Sequence, residues 1–253
     1  MSDLSARASE LLRLHHTGDM LVLPTVWDAW SARAVVNAGF PALSIGSHPL
    51  ADSRGQQDNE GMSLADALEG VARVTRAVDV PVTADVESGY DTPAAELVER
   101  VLEAGAVGIN VEDTVHSEGR LREVAEHADY IAAIRAAADA AGVALVINAR
   151  TDAFLGSVVE LDDPLTEAIR RLQACEAAGA RCVYPVRVPD AASLHTLLAE
   201  LSGPVNITAH PVDGAPSGSR EELRAAGVRR ITFGPLLMKA LTGSVADLVT
   251  PWS

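Results

Sequence analysis

Short apolar runs alternate along the whole chain with Ala-, Leu-, Arg- and Glu-rich segments of helical period. The runs predict strands at Leu21–Thr25, Ala42–Gly46, Val80–Val86, Ala106–Val111, Ala144–Ala149, Cys182–Val186, Val205–Thr208 and Arg230–Phe233. The periodic segments predict helices at Ala29–Ala38, Leu64–Ala77, Pro93–Ala104, Ala128–Ala141, Pro164–Ala178, Ala191–Leu201, Arg220–Ala226 and Leu236–Leu248. One more helix, Ser5–His15, precedes the first strand. The phrase Ala-Gly followed by an apolar run recurs at Ala38-Gly39, Ala104-Gly105, Ala178-Gly179 and Ala226-Gly227. It reads as a helix stop feeding the next strand, and Gly142 marks a further stop.

Eight strands, each followed by a helix, predict an α/β fold, a single (β/α)8 TIM-type barrel with an extra N-terminal helix, as one domain over residues 1–253. A doubly wound open sheet fits less well, because no Gly-rich dinucleotide loop follows the first strand. Two strand-to-helix connections are long, Ser47–Ser63 and Thr114–His127, where about 2–6 residues is usual. Both leave strand C-termini, the face on which barrels carry their sites, and are expected to bind or cover a ligand.

Composition narrows the partners. The 253 residues are 48% hydrophobic and 22% charged, an ordinary globular balance. The formal charge of −15 argues against nucleic acid or an anionic membrane as partner. No apolar run is long enough for a bilayer, and the N-terminus lacks a signal-peptide core. Cys175 and Cys182 are not at a zinc or redox spacing, so a cytoplasmic setting is expected.

The candidate chemistry lies at the strand ends. Asp85 and Glu87 are two apart, so they are expected to project together where the third strand runs out. The fourth strand puts Asn110 and Glu112 on one face with Asp113 opposite, and the fifth puts Asn148, Arg150 and Asp152 on one side. The seventh offers Asn206, Thr208 and His210, and the loop after the second adds Asp58, Asn59 and Glu60. Asp113 and Asp152 are read as helix or loop caps and His210 as a turn residue. Asp85, Glu87 and Glu112 at one mouth make an oxygen-rich anionic pocket of the kind that holds a hard cation, Mg²⁺ or alternatively Mn²⁺. Arg150 beside it suits a substrate carboxylate or phosphonate, which implies a small anionic 2-oxo acid.

These motifs resemble the isocitrate lyase/phosphoenolpyruvate mutase superfamily over nearly the whole chain. The resemblance rests on Thr25-Val26-Trp27-Asp28-Ala29-Trp30-Ser31-Ala32, Ser44-Ile45-Gly46-Ser47 and Gly55-Gln56-Gln57-Asp58-Asn59-Glu60. It continues in Asp85-Val86-Glu87-Ser88-Gly89-Tyr90, Gly108-Ile109-Asn110-Val111-Glu112-Asp113, Asn148-Ala149-Arg150-Thr151-Asp152-Ala153-Phe154 and Gly227-Val228-Arg229-Arg230-Ile231. It implies a Mg²⁺-dependent barrel that makes or breaks C–C or P–C bonds next to a 2-oxo acid. Asp85 then resembles the direct metal ligand, and Asp58, Glu87 and Glu112 the carboxylates that hold its waters. Arg150 resembles the arginine on the substrate. The segment Ser44, Gly46, Ser47 and His48 resembles the grip on its carboxylate, and Asn206 and Thr208 match further polar contacts.

The chain also departs from the pattern. Glu87 stands where the mutases carry Asp. The loop Thr114-Val115-His116-Ser117-Glu118-Gly119-Arg120-Leu121-Arg122 has neither the Cys of the lyase branch nor the Lys of the mutase and hydrolase branches. If that loop supplies a proton donor, His116 is its candidate, which makes Arg150, Glu112 and His116 the catalytic set. The expected function is a lyase or decarboxylase of a small 2-oxo or 2-hydroxy acid. P–C bond chemistry and a non-catalytic 2-oxo acid binder remain as alternatives. A homo-oligomer, dimer or tetramer, is expected, with exchange of a C-terminal helix in doubt.

Overall fold

A computed structural model describes residues 2–253. Eight parallel strand positions form a ring: Leu21–Leu23 continued by Thr25–Val26, then Leu43–Ile45, Val82–Asp85, Gly108–Glu112, Val146–Thr151, Cys182–Pro185, Asn206–Thr208 and Arg230–Thr232. Six of them pair in sequence order from Thr25–Val26 to Cys182–Pro185, while Leu21–Leu23 pairs with the last strand and that with the seventh. The first strand is divided at Pro24, whose missing N–H interrupts the ladder although its carbonyl accepts Ser44 N at 3.1 Å. A parallel bridge between Val183 and Val205 closes the remaining gap. The expected barrel is what the chain forms.

Local chemistry explains the elements. Each strand is buried on both sides, so it reads as a run of Val, Ile, Leu and Ala. The helices bury their Leu, Val and Ile stripes, such as Leu97, Val98 and Val101, against those strands. All five predicted glycine stops have left-handed backbone. The N-terminal helix, Ser2–His15, closes the end of the barrel opposite the strand C-termini. Its Ala8, Leu11 and Leu14 are buried among Leu21, Leu23, Val107, Val143 and Val146. Gly108 lets it approach: a Cβ there would sit 2.9 Å from Leu11 Cδ2.

Both long connections hold structure that the periodicity does not show. The first begins with a helix, Ser47–Ser53, in which Pro49 lies within the first turn, where its lost N–H has no helical partner anyway. The second is a hairpin of Thr114–Val115 with Arg120–Leu121, and its following helix starts at Val124 rather than Ala128. Glu126 reaches back to the Glu123 backbone N–H at 3.2 Å, which fixes that earlier start. The last helix, Leu236–Val249, buries none of its residues and leaves Val245, Leu248 and Val249 exposed beside Trp252. No helix among the described residues is long and apolar enough to cross a membrane.

Candidate active site

The strand C-termini surround a cavity of ≈ 950 Å³ lined by Gly46, Ser47, His48, Asp58, Asp85, His116, Arg150, Asp152, Tyr184 and Thr208, among others. Strand register places its polar floor, because Asp85 lies beside Asn110, Glu112 beside Arg150 and Arg150 beside Tyr184. Adjacent strands thus deliver Glu112, Arg150 and Tyr184 in one register row, with Asp85 one row below beside Asn110.

Arg150 is the centre of this floor. Its Nη1 pairs with Glu112 Oε2 at 2.6 Å and lies 4.0 Å from Asp85 Oδ2. Its Nε and Nη2 donate to Asp152 Oδ1 and Oδ2 at 2.6 and 3.1 Å. The guanidinium also sits 5.9 Å from the Tyr184 ring centre, at cation–π range. Glu112 is bonded on its other side to His116 Nε2 at 2.6 Å. The hairpin therefore does bring His116 to the site, already held by a carboxylate.

Crowding of buried acids shows in their ionisation. Burial pushes Asp85 up to about 6 against the pull of Arg150, with Asp58 and Asp152 adding to the rise. Burial and the Asp58 charge lift Glu87 to about 8. Burial likewise lifts Glu112 to about 7, opposed by Arg150. For His116, burial acts downward, but the hydrogen bond and charge of Glu112 outweigh it and hold the imidazole above its ordinary value. The site holds more negative charge than Arg150 alone neutralises.

Glu87 reaches this cluster by a different route from the one its spacing implies. The strand ends at Asp85, and Glu87 adopts a left-handed backbone with φ 48, so strand alternation does not extend to it. Its buried carboxylate accepts the Tyr90 hydroxyl at 2.8 Å and the backbone N–H of Glu60. Asp113 and Asp152 are not the caps expected of them. Asp113 is fully buried behind the fourth strand, where it accepts from Thr151 Oγ1 at 2.7 Å and Asp152 N at 2.9 Å and pairs with Arg171 at 3.1 Å. Asp152 is buried on Arg150 and accepts Thr114 Oγ1 at 2.6 Å. His210 does organise a turn, accepting Asp213 N at 3.1 Å.

Ser44 and Asn206 are not on the cavity wall. Ser44 is buried between Thr25 and Thr83 in the ladder, and Asn206 is fully buried on Thr232. Thr208 is on the wall, bonded to the Tyr184 hydroxyl. Tyr184 was not among the sequence candidates. Its signal was the alternation Cys182, Tyr184, which points a hydroxyl-bearing ring inward at the level of Arg150.

Two carboxylates on the cavity wall have oxygens free of protein donors. Asp58 Oδ1 is buried without any hydrogen-bond partner, while its Oδ2 is 3.2 Å from His48 Nδ1. Asp85 Oδ1 accepts Glu87 N at 3.2 Å, and Oδ2 has no donor nearer than Arg150. Asp58 and Asp85 both line the cavity, whereas Glu87 and Glu112 stand behind it with their oxygens on protein donors. No group of three or more His, Cys, Asp or Glu among the described residues is placed to hold an ion directly. Hard oxygen donors in such small number fit Mg²⁺, which keeps several of its waters.

The chain matches the family model of phosphoenolpyruvate phosphomutase over residues 11–251. An oxaloacetate decarboxylase of Rhodopseudomonas palustris is 32% identical over 243 residues, 92% of this chain and 81% of that protein. The crystal structure of a phosphonomutase candidate from Burkholderia cenocepacia superposes with TM-score 0.88 at 39% identity, covering 96% of this chain and 99% of that one. A 2,3-dimethylmalate lyase of known structure is 26% identical with TM-score 0.83, over 95% of this chain and 85% of its own. The chain belongs to the phosphoenolpyruvate phosphomutase family, within the phosphoenolpyruvate mutase/isocitrate lyase superfamily.

Proposed function

We propose that this chain is a divalent-metal-dependent lyase that breaks the C–C bond beyond the 2-oxo group of a small dicarboxylic acid, with decarboxylation of oxaloacetate or a close analogue as its reaction. The observation that carries the reading is the pairing of free Asp58 and Asp85 oxygens with Arg150 on one cavity wall, beside a hairpin that lines the cavity with the titratable His116. Retro-aldol cleavage of a 2-hydroxy acid needs a base to take the hydroxyl proton. Decarboxylation does not, because CO₂ leaves without a proton. His116, held on Glu112 and above its ordinary pKa, is suited to give a proton rather than take one, so the hairpin fits decarboxylation better. The likeness to an oxaloacetate decarboxylase supports the same substrate class.

When bound, Mg²⁺ or Mn²⁺ would polarise the substrate's 2-oxo group. Asp85 and Asp58 would be the residues to hold it, with Glu112 and Glu87 behind them on protein donors. Arg150, fixed by Glu112 and Asp152, pairs with the substrate on its carboxylate side. The N–H groups of Ser47 and His48, in the first turn of their helix, are donors for the same carboxylate. As the bond breaks, its electron pair moves toward the 2-oxo oxygen and C3 later takes up a proton. His116 is positioned to deliver that proton.

Thermal denaturation tests the reading. Oxaloacetate, pyruvate and 2-oxoglutarate are expected to raise the melting temperature with Mg²⁺ present and not without it. No shift with any of them would sink the proposal. The likeness to a phosphonomutase candidate favours a second reading, P–C bond chemistry on phosphonopyruvate. An unchanged phosphorus NMR signal after prolonged incubation with that acid would eliminate it. The uncovered apolar residues of Leu236–Val249 support a homo-oligomer, to be measured by light scattering.

A further inference from the structure

At the rim of the cavity, the loop after the second strand is joined to the loop after the third by carboxylates working in both directions. Glu60 Oε1 accepts Ser88 Oγ at 2.5 Å and Tyr90 N at 2.8 Å. In return, Glu87 accepts the Glu60 backbone N–H on Oε2 and the Tyr90 hydroxyl at 2.8 Å on Oε1. These two loops hold five of the six non-glycine residues with left-handed backbone among the described residues: Asn59, Glu60, Glu87, Tyr90 and Asp91, with φ from 48 to 61. Such conformations persist only where surrounding contacts over-determine them.

One half of the joint is anchored independently. Tyr130 packs on Gly89, which has φ 98 and where any Cβ would collide with the phenol oxygen. Tyr130 also donates to Thr92 O at 2.7 Å, and Arg122 donates to Ser88 O at 2.9 Å while stacking on Tyr130 at 5.0 Å. The other half is held more lightly, by Gln56 N on Ala51 O at 2.9 Å and by Asp58 Oδ2 at 3.2 Å from the half-exposed His48. Residues 55–61 are exposed or half-buried, and the buried apolar anchor that follows them is Met62. Asp58, with its unpartnered Oδ1, sits in this weakly held half, two residues before Glu60.

We propose that Glu60 and Glu87 are the two halves of a latch that sets the position of Asp58 on the cavity wall, which makes both of them positioning residues. The inference rests on the reading of Asp58 as a metal-facing residue. It also gives Glu87 a task that needs no metal: both of its oxygens are held by the latch. The anchored turn at 86–92 acts as the fixed plate, and the 55–61 loop is what it holds in place. Glutamine at position 60 can accept the same two hydrogen bonds on its amide oxygen, whereas alanine accepts none.

Hydrogen exchange on the metal-free full chain tests the latch. Glu60→Ala is expected to speed exchange of the 56–62 amides by roughly tenfold or more, with 86–92 unchanged. The Mg²⁺ concentration for half-maximal thermal stabilisation should rise about 10- to 100-fold, with kcat at saturating Mg²⁺ within about twofold of wild type. Glu60→Gln is expected to restore wild-type behaviour in all three. Unchanged exchange in Glu60→Ala, or a Glu60→Gln as defective as Glu60→Ala, overturns the proposal. Should Glu60→Ala fail to fold, Tyr90→Phe removes one bond from the Glu87 half, and unchanged 56–62 exchange there overturns it equally. A wild type without any Mg²⁺ response would defeat the metal reading, and the exchange data would still decide the latch.

Discussion

The buried acids of the cavity make the metal-free protein sensitive to pH in a window where most surface carboxylates do not titrate. Glu87 ionises at about 8 and Glu112 at about 7 in the fold, against an ordinary 4.5 for each. Both folded values are raised, so between about pH 6.5 and 8 the folded chain keeps protons that the unfolded chain has released. Stability is then lost as pH rises, and His116, also raised, acts with the same sign. His15 and His127, pushed to about 3 by burial, are neutral in the folded chain but partly charged in the unfolded chain near pH 6.5, so together they oppose this trend by roughly 1 kcal/mol. One proton held over one pH unit is about 1.4 kcal/mol. Glu87 therefore contributes about 2 kcal/mol over the window and Glu112 about 1 kcal/mol, which the two histidines reduce to roughly 2 kcal/mol in all. For a chain of this size that lowers the melting temperature by roughly 4–8 °C. The assay is calorimetry in EDTA at several pH values, repeated in saturating Mg²⁺, where a cation beside the carboxylates flattens the curve. A metal-free melting temperature that stays level or climbs from about pH 6.5 to 8 would refute the electrostatic account.

Other perturbations separate the parts of the site. Arg150→Lys cannot hold Glu112 and the two Asp152 oxygens together, so kcat/KM is expected to fall by about 10²-fold or more in steady-state assays. His116→Ala should leave metal-dependent CO₂ release within about tenfold of wild type while pyruvate forms more slowly, followed by parallel CO₂ and keto-acid assays. Asp113→Ala leaves buried Arg171 with Glu167 as its remaining carboxylate and strips the Thr151 hydroxyl and Asp152 N–H of their acceptor, which should cost about 1–3 kcal/mol in urea denaturation. Leu11→Ala opens a hole under the barrel and should cost about 2–5 kcal/mol in the same experiment, without changing KM.

The barrel was legible because its strands are buried on both faces and its helices stop at glycine, and both leave strong local patterns. What local pattern could not show was structure made by distant contacts. The helix Ser47–Ser53 hides behind Pro49, and the hairpin at Thr114–Leu121 is two residues per strand. The carboxylates Asp85 and Glu112 were found by alternation along strands that do persist to those positions. Glu87 was found by the same rule although the rule does not hold there, since its backbone turns left-handed after Val86. Asp113 was underestimated because its partner, Arg171, becomes a neighbour only through the fold, whereas the partner of Asp152, Arg150, stands two residues away on the same strand face and was legible.

The account stands most directly on one measurement: CO₂ and pyruvate released from oxaloacetate, compared with the rate in buffer containing the metal alone. It predicts equal amounts of both products, formed only with Mg²⁺ or Mn²⁺ and lost in Asp85→Ala, whose fold remains intact because a crowded buried carboxylate has been removed. Release no faster than the metal-only background, or release undiminished in Asp85→Ala, would contradict it.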